Sequence, residues 1–575
     1  MIRHICFLAL AVATLVWNVP LLKERVQTAR WITTQWEGRG YYGNGNYSDS
    51  VRTLIEECAQ RSDDIYLVTR NADGRLLSIE RLIQITAAWA HSPRRVRYGG
   101  VEDMGEPDVV VTSCESGAIV SQIPSHYGQI ATLGRAALWR KMFFSGDGAE
   151  EEPQAEPTRF RGVRELSGVA LVVLLAGFCA WAAGWAGMLG GLLLFSFGMA
   201  VPPLTGFTPA PWFVLALAGA CATAAALMRK RGFRDGDTGM TPLNRWQAVG
   251  AGVAAFAVLA AFTLTHTFSA PCGLGVYGGK ARLLFLAGGI PDGFFTGNGW
   301  DTLQPAYPPG WALITLGCYG AAGFCGEYWT QLLGCAAMSS ALFFLCGRAG
   351  GVPAMLWVAA SFCADKVVWM GSHYYAEPLM ALFVLAGWER VRKGGNDITG
   401  WMLIGAAGWV KSEGILFLPT LWLALRLLKG GAAASLPKLL AGLALPVAWR
   451  IGCRMAGAVI PDYLPIAEAS LRQAREAAAY ILTQGFRQPW QYGFVFPAAV
   501  LALLVPQLRR RGALSAAGLA VLMISVAFAG IFSMSRATDF SWHLASIDRL
   551  LWIPGLLLVR EMVQVASKNT TCERE

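Results

Sequence analysis

The 575-residue chain is 54% hydrophobic and only 15% charged, with a mean hydropathy of +0.41. These values exclude a soluble multidomain protein, a coiled coil and a disordered chain, and leave a polytopic α-helical membrane protein. The formal charge of +10 does not require a nucleic-acid partner, because the basic clusters sit between apolar runs, where the positive-inside rule places them.

Residues 5–22 are apolar, follow a short basic start and lack a small-x-small cleavage site before Lys23. This predicts an uncleaved signal anchor (1–22) with a cytoplasmic N-terminus. Residues 23–162 are polar. Within them DIYLVTR (64–70), an amphipathic run over 78–90 and PDVVVTS (107–113) read as strand, helix and strand, a small α/β domain outside the membrane. Cys58 and Cys114 fall in this region and fit either a disulfide, if it is exported, or two reduced thiols. The thirteen cysteines are otherwise spread singly, with no spacing that suits structural zinc.

Apolar runs then follow at 166–184, 187–203, 211–228, 246–267, 309–324, 328–347, 352–368, 375–390, 400–413, 414–428, 437–457, 493–507, 515–533 and 549–560. Residues 163–245 hold the additional helices and 246–575 the main transmembrane domain. The basic loops RKRGFR (229–234), ERVRKGG (389–395) and QLRRRG (507–512) are expected on the cytoplasmic side, which puts the long loops 268–308, 458–492 and 534–548 outside. Parity then requires one run between 308 and 373 not to cross. The short run 309–324, opening Pro308-Pro309-Gly310, is the candidate for a broken or re-entrant segment, leaving about fourteen crossings.

Ionisable groups at membrane depth cost roughly 2.5–3.5 kcal/mol each, so their clusters point to function. Lys411-Ser412-Glu413-Gly414 sits between two apolar runs, as a working pair or a solvated turn. Ser372-His373-Tyr374-Tyr375-Ala376-Glu377 puts an imidazole and a carboxylate at the mouth of two spans; an aromatic belt explains the tyrosines but not Glu377. Trp542-His543 through Arg549 offers a guanidinium suited to phosphate, or one snorkelling to headgroups. The loop 268–308 carries KARLLFLAGGI (280–290), read as an amphipathic segment on the membrane surface, followed by Asp292 and Asp301. A further amphipathic helix is expected within 462–484 as a lid or surface element.

These clusters, in this order, resemble the GT-C superfamily of membrane glycosyltransferases, which take sugar from a polyprenyl-phosphate carrier. The likeness covers roughly 245–560, and Ser92-Pro93-Arg94-Arg95-Val96 is similar to a Pro-Arg-Arg-Val turn in an N-terminal extension of some bacterial members. The resemblance implies a GT-C-like bundle in the inner membrane with its active face outside. Its partners are then a polyprenyl-phosphate-linked sugar donor and an envelope glycan, lipid or protein acceptor. It makes Lys280 the lysine of the first-loop helix, Tyr307-Pro308 the opening of the next membrane segment, Glu377 the acid of a Tyr-Ala-Asp/Glu turn, Lys411-x-Glu413-Gly414 a Lys-x-Glu-Gly step, and Arg549 the arginine of the last helix. Lys411 and Arg549 become phosphate clamps, with Lys280, Tyr307, His373, Glu413 and His543 also on the substrate side.

Where members of that family usually place two acids in the first loop, this chain has Cys272 and Ala306, so Glu377, Asp292 or Asp301 is expected to supply the catalytic carboxylate. No cofactor is fixed by the motifs, and a divalent cation is admitted as an aid to polarising the phosphate. Two other classes fit the same clusters: a carrier or flippase of a lipid-linked glycan, and a non-catalytic scaffold of envelope-glycan assembly. The sharpest expectation is that Glu377, Lys411, Glu413 and Arg549 converge although they lie on separate turns and helix ends.

Overall fold

The protein is described from a computed structural model. It describes residues 8–9, 11–12, 64–68, 95–99, 109–113, 127–133, 136–141, 158–230, 242–264, 276–296, 303–326, 329–349, 352–362, 365–393, 397–429, 434–458, 469–487, 495–505, 512–534 and 541–571. Cys58, Cys114, Cys272, Asp301, most of the expected anchor, the expected helix over 78–90 and residues 462–468 lie outside these.

The polar N-terminal region holds one sheet built from β1 (Asp64–Val68), β2 (Arg95–Gly99), β3 (Val109–Ser113), β4 (Tyr127–Leu133) and β5 (Ala136–Lys141). Its order is β2-β1-β3-β5-β4. β1 pairs in parallel with β2 and β3, and β5 runs antiparallel to β3 and β4. β1 and β3 are the two strands expected from sequence. Arg95 and Val96, expected in a turn, instead open β2.

All other described elements are helical: α1 (Thr158–Gly198), α2 (Val201–Thr205), α3 (Pro211–Lys230), α4 (Pro242–Thr263), α5 (Gly278–Ala287), α6 (Gly310–Ala322), α7 (Leu332–Cys346), α8 (Val352–Phe362), α9 (Asp365–Ser372), α10 (Glu377–Lys393), α11 (Ile398–Val410), α12 (Phe417–Lys429), α13 (Leu436–Met455), α14 (Leu471–Leu482), α15 (Val495–Leu504), α16 (Gly512–Phe532) and α17 (Ser541–Thr571). Among the described residues, five stretches are long and apolar enough to cross a membrane: Val163–Thr205, Pro211–Lys230, Arg245–Thr263, Leu436–Met455 and Leu514–Phe532. The chain is thus a helical membrane protein.

The first stretch is two arms. Ala183 and Gly184 leave helical geometry, with Gly184 at φ +70°. A Cβ on Gly191 would meet the Cys179 sulfur at 2.6 Å, whereas twelve residues of continuous helix would hold the two about 18 Å apart. The chain therefore folds back at Gly184, which agrees with separate runs at 166–184 and 187–203. α6 has thirteen residues, about 20 Å against a core about 30 Å thick, so it cannot span alone.

Two loop expectations are corrected. The segment 280–290 does not lie on the surface as an amphipathic helix: in α5 Lys280, Ala281, Leu283, Leu284 and Phe285 are all buried, and Phe285 meets Tyr319 of α6 edge-on. ERVRKGG is not a solvated loop as far as Lys393, because α10 continues to that residue with Glu389 buried and Arg392 only 10% exposed.

Polar groups tie the bundle where apolar packing alone would leave helices free to slide. Glu165 at the start of α1 accepts hydrogen bonds from the Trp329 and Thr330 amides at 2.6 and 3.1 Å, and Arg164 Nε donates to Ala322 O at 3.1 Å. These bonds fix the turn between α6 and α7, satisfying buried amides that lipid could not.

Candidate functional site

α11 ends at Val410, and Lys411 adopts an extended conformation (φ −150°, ψ 140°) before a short 3-10 turn, Ser412–Leu416, leads into α12. The break turns the chain back on α11 so tightly that a Cβ on Gly414 would overlap the Ala407 carbonyl and the Gly408 nitrogen. Only glycine fits there. The break projects Lys411 and Glu413 sideways from an otherwise apolar helix pair. Glu377 opens α10, where the unpaired amides of a helix N-terminus favour a carboxylate. Arg549 lies two turns into α17.

Lys411 Nζ donates to Glu377 Oε1 at 2.8 Å and lies 3.9 Å from Glu413 Oε1. Arg549 Nε is 3.5 Å from the same Glu377 oxygen. The Tyr307 hydroxyl is 2.8 Å from each oxygen of Glu413 and donates to that carboxylate. Glu377, Lys411, Glu413 and Arg549 are all buried, so the four groups expected to converge form one buried ion cluster, with Tyr307 as its fifth member.

Two buried atoms there lack hydrogen-bond partners among the described residues: Glu377 Oε2 and Ser412 Oγ. An unmet carboxylate oxygen inside a membrane protein is costly. The cluster therefore keeps one buried acceptor on Glu377 still to fill, with two cations beside it. Such a group can bind an anion through Lys411 and Arg549 and take a proton on Glu377.

The other expected residues fall around it differently. Lys280 is buried, and its Nζ donates to the carbonyls of Gln304 and Tyr307 at 3.0 and 2.9 Å. It therefore holds the backbone that presents Tyr307. Burial pulls its pKa down to about 7 against a smaller opposing influence from Cys453. His373 stacks on Trp369 at 3.6 Å, and its Nδ1 lies 2.9 Å from Ser372 Oγ. Asp292 is exposed on the turn after α5, with no ion pair or hydrogen bond to the cluster among the described residues. His543 is placed in the first turn of α17, and its side chain lies outside the described groups.

Sequence reasoning assigned Tyr374 and Tyr375 to an aromatic belt, yet both are buried. The Arg549 guanidinium sits 4.1 Å above the Tyr375 ring, whose hydroxyl accepts from Trp369 Nε1 at 3.1 Å. Tyr374 bonds Thr315 and packs on Trp311. The available signal was the Tyr-Tyr pair one residue ahead of Glu377, since a cation can be held over an aromatic face as well as by a carboxylate.

A divalent cation does not suit this donor set. Glu377 and Glu413 share the Lys411 ammonium, which stands where a cation would have to sit, and no group of three His, Cys, Asp or Glu side chains is gathered for a metal among the described residues.

Comparison of the chain with protein-family models, curated proteins and solved structures returns no match. The functional reading therefore rests on the residues and their arrangement.

Proposed function

We propose that the protein is a GT-C-type glycosyltransferase that moves a sugar from a polyprenyl-phosphate donor to a glycan, lipid or protein acceptor. The bundle then has about fourteen crossings in the inner membrane, with the cluster and the N-terminal α/β unit on the outer side. The observation that carries this reading is the pairing of Lys411 and Arg549 around Glu377, whose second oxygen is unmet.

A donor phosphate entering the cluster takes up Lys411 and Arg549, the two cations that neutralise Glu377. Glu377 is thereby freed to act as base. The acceptor hydroxyl attacks the anomeric carbon, the bond from that carbon to the phosphate oxygen breaks, its electron pair stays on the phosphate, and the hydroxyl proton passes to Glu377. Arg549 suits the phosphate because its fork is planar and already oriented by Tyr375 and by Ser546, which accepts from its Nη2 at 2.9 Å.

The test is release of polyprenyl phosphate from a panel of polyprenyl-phosphate sugars by the purified protein in lipid nanodiscs. Turnover is expected with at least one donor and is lost in Glu377→Gln and Lys411→Met. One feature favours a second reading, a lipid-linked glycan carrier: both cluster carboxylates are already engaged, Glu377 by cations and Glu413 by Tyr307. Donor binding without turnover, at equal affinity in Glu377→Gln, would establish that reading instead.

A further inference from the structure

A groove of about 860 Å³ runs between both arms of α1, α6, α7 and the start of α10. Its size is that of a small-molecule site. The walls are apolar, from Trp311 and Leu379 at one end to Trp181 and Trp185 at the other, and among the described residues of the lining only Arg245 is charged. The arginine lies at the Trp181 end. α4 runs antiparallel to α7, since Gly252 faces Phe343 and Thr263 contacts Cys335, which carries Arg245 beyond Phe343, a ring packed 5.7 Å from Trp185. A second guanidinium marks the same end, for Arg229 lies 3.8 Å over the Trp181 ring.

The length of the groove can be read from α7. It is lined from Leu333 to Phe343, ten residues or about 15 Å, which is half the depth of the hydrocarbon core. It is thus one leaflet deep, apolar along its course and cationic at its mouth. The mouth adjoins Arg229, with which the basic run RKRGFR begins in the sequence, so its leaflet is cytoplasmic by the positive-inside rule. Trp181 and Val173 at the rim are 60% and 41% exposed, and a chain can enter sideways from lipid.

We propose that this groove is a binding site for an anionic glycerophospholipid of the cytoplasmic leaflet, with one acyl chain along α1 and α7 and the phosphate at Arg245 and Arg229. A carrier lipid anchored by its phosphate at Lys411 and Arg549 would send its tail toward Arg245, setting hydrocarbon against charge. The reversed polarity of the groove selects a lipid entering from the opposite side. The proposal does not depend on the transferase reading.

The test is native mass spectrometry and thermal denaturation of the full-length protein with phosphatidylglycerol or phosphatidylcholine of identical chains. Retention of phosphatidylglycerol at least tenfold tighter than phosphatidylcholine is expected, with a higher Tm. The pair Arg229→Gln and Arg245→Gln should erase the preference, while Ala336→Phe, which fills the groove, should reduce retention of both lipids. Equal retention of the two lipids would overturn the proposal, as would a preference untouched by all three changes. Competition by glycerol phosphate as effective as that by the whole lipid would reduce the site to a surface anion site, and selective retention of a polyprenyl phosphate would give the groove to the carrier.

Discussion

α10 and α17 run side by side in parallel and are joined twice, once near each end. At one end Glu377 meets Arg549, and twelve and eleven residues further on, about 16–18 Å along the axes, Glu389 meets Arg560. The chemistry is the same and the finish is different. Around Glu389, Arg560 Nε donates at 2.6 Å, Arg392 bonds both carboxylate oxygens at 3.3 Å, and Arg348 stands 3.5 Å away. Glu561 accepts from Trp388 Nε1 at 2.8 Å, and Gln564 accepts from Arg392 at 2.7 Å. Both oxygens of Glu389 accept from arginine, whereas Glu377 Oε2 and Ser412 Oγ at the other end lack partners among the described residues. A buried carboxylate bonded at both oxygens by its own protein acts as a clamp, and one with an unmet oxygen is the candidate to hold a ligand.

Substitutions at the open end should therefore cost function first. Glu377→Gln is expected to lower transfer by about 10²–10⁴, the usual contribution of a positioned base. Its effect on stability should be smaller than that of a change at the closed end, because both cations keep other partners: Lys411 retains Glu413, and Arg549 retains Ser546 and the Tyr375 ring. Rates and denaturation midpoints measured on one preparation decide it, and a Glu377→Gln protein that unfolds as readily as a clamp variant would abolish the distinction.

At the closed end Arg560→Met should cost about 3–5 kcal/mol of stability, since it leaves two buried carboxylates short of charge. Arg560→Met combined with Glu389→Met should recover part of that loss while transfer by the folded fraction stays near normal. A double variant that folds well and is inactive would mean that the clamp sets the geometry of the distant site. Next in size is Tyr307→Phe, which removes a hydrogen bond to a carboxylate and should cost about 1.5–3 kcal/mol. Glu413 is then free to draw Lys411 away from Glu377, so activity is expected to fall more than stability does.

The open end was legible in the sequence and the closed end was not. Lys411, Glu413 and Glu377 interrupt apolar runs, where an ionisable group must have a purpose. Glu389 and Arg392 sit in a basic segment that reads as solvated, and Arg560 lies at the edge of the last run, where an arginine normally reaches headgroups. Nothing in single-residue spacing says that α10 and α17 lie parallel, which alone brings Glu389 to Arg560. The same blindness to tertiary pairing put Tyr375 in a belt, and it read Lys280 as a substrate contact when its ammonium serves the backbone carbonyls beneath Tyr307.

Lys280 gives the comparison its pH dependence. Burial lowers its pKa from 10.5 to about 7, so between those values the unfolded chain holds a proton that the folded protein has shed. Stability should therefore rise as pH climbs from about 7 toward 10.5, and be lost again as pH falls to about 7. The neutral amine still carries two N–H groups, enough to serve Gln304 and Tyr307 together, so the open end keeps its shape in alkali. Lys280→Met should be less stable above neutrality, because two carbonyls lose their donor, and its denaturation midpoint should lack the rise over that window. A variant that keeps the full pH slope would place the titration elsewhere and leave Lys280 as a hydrogen-bond donor whose charge does not matter.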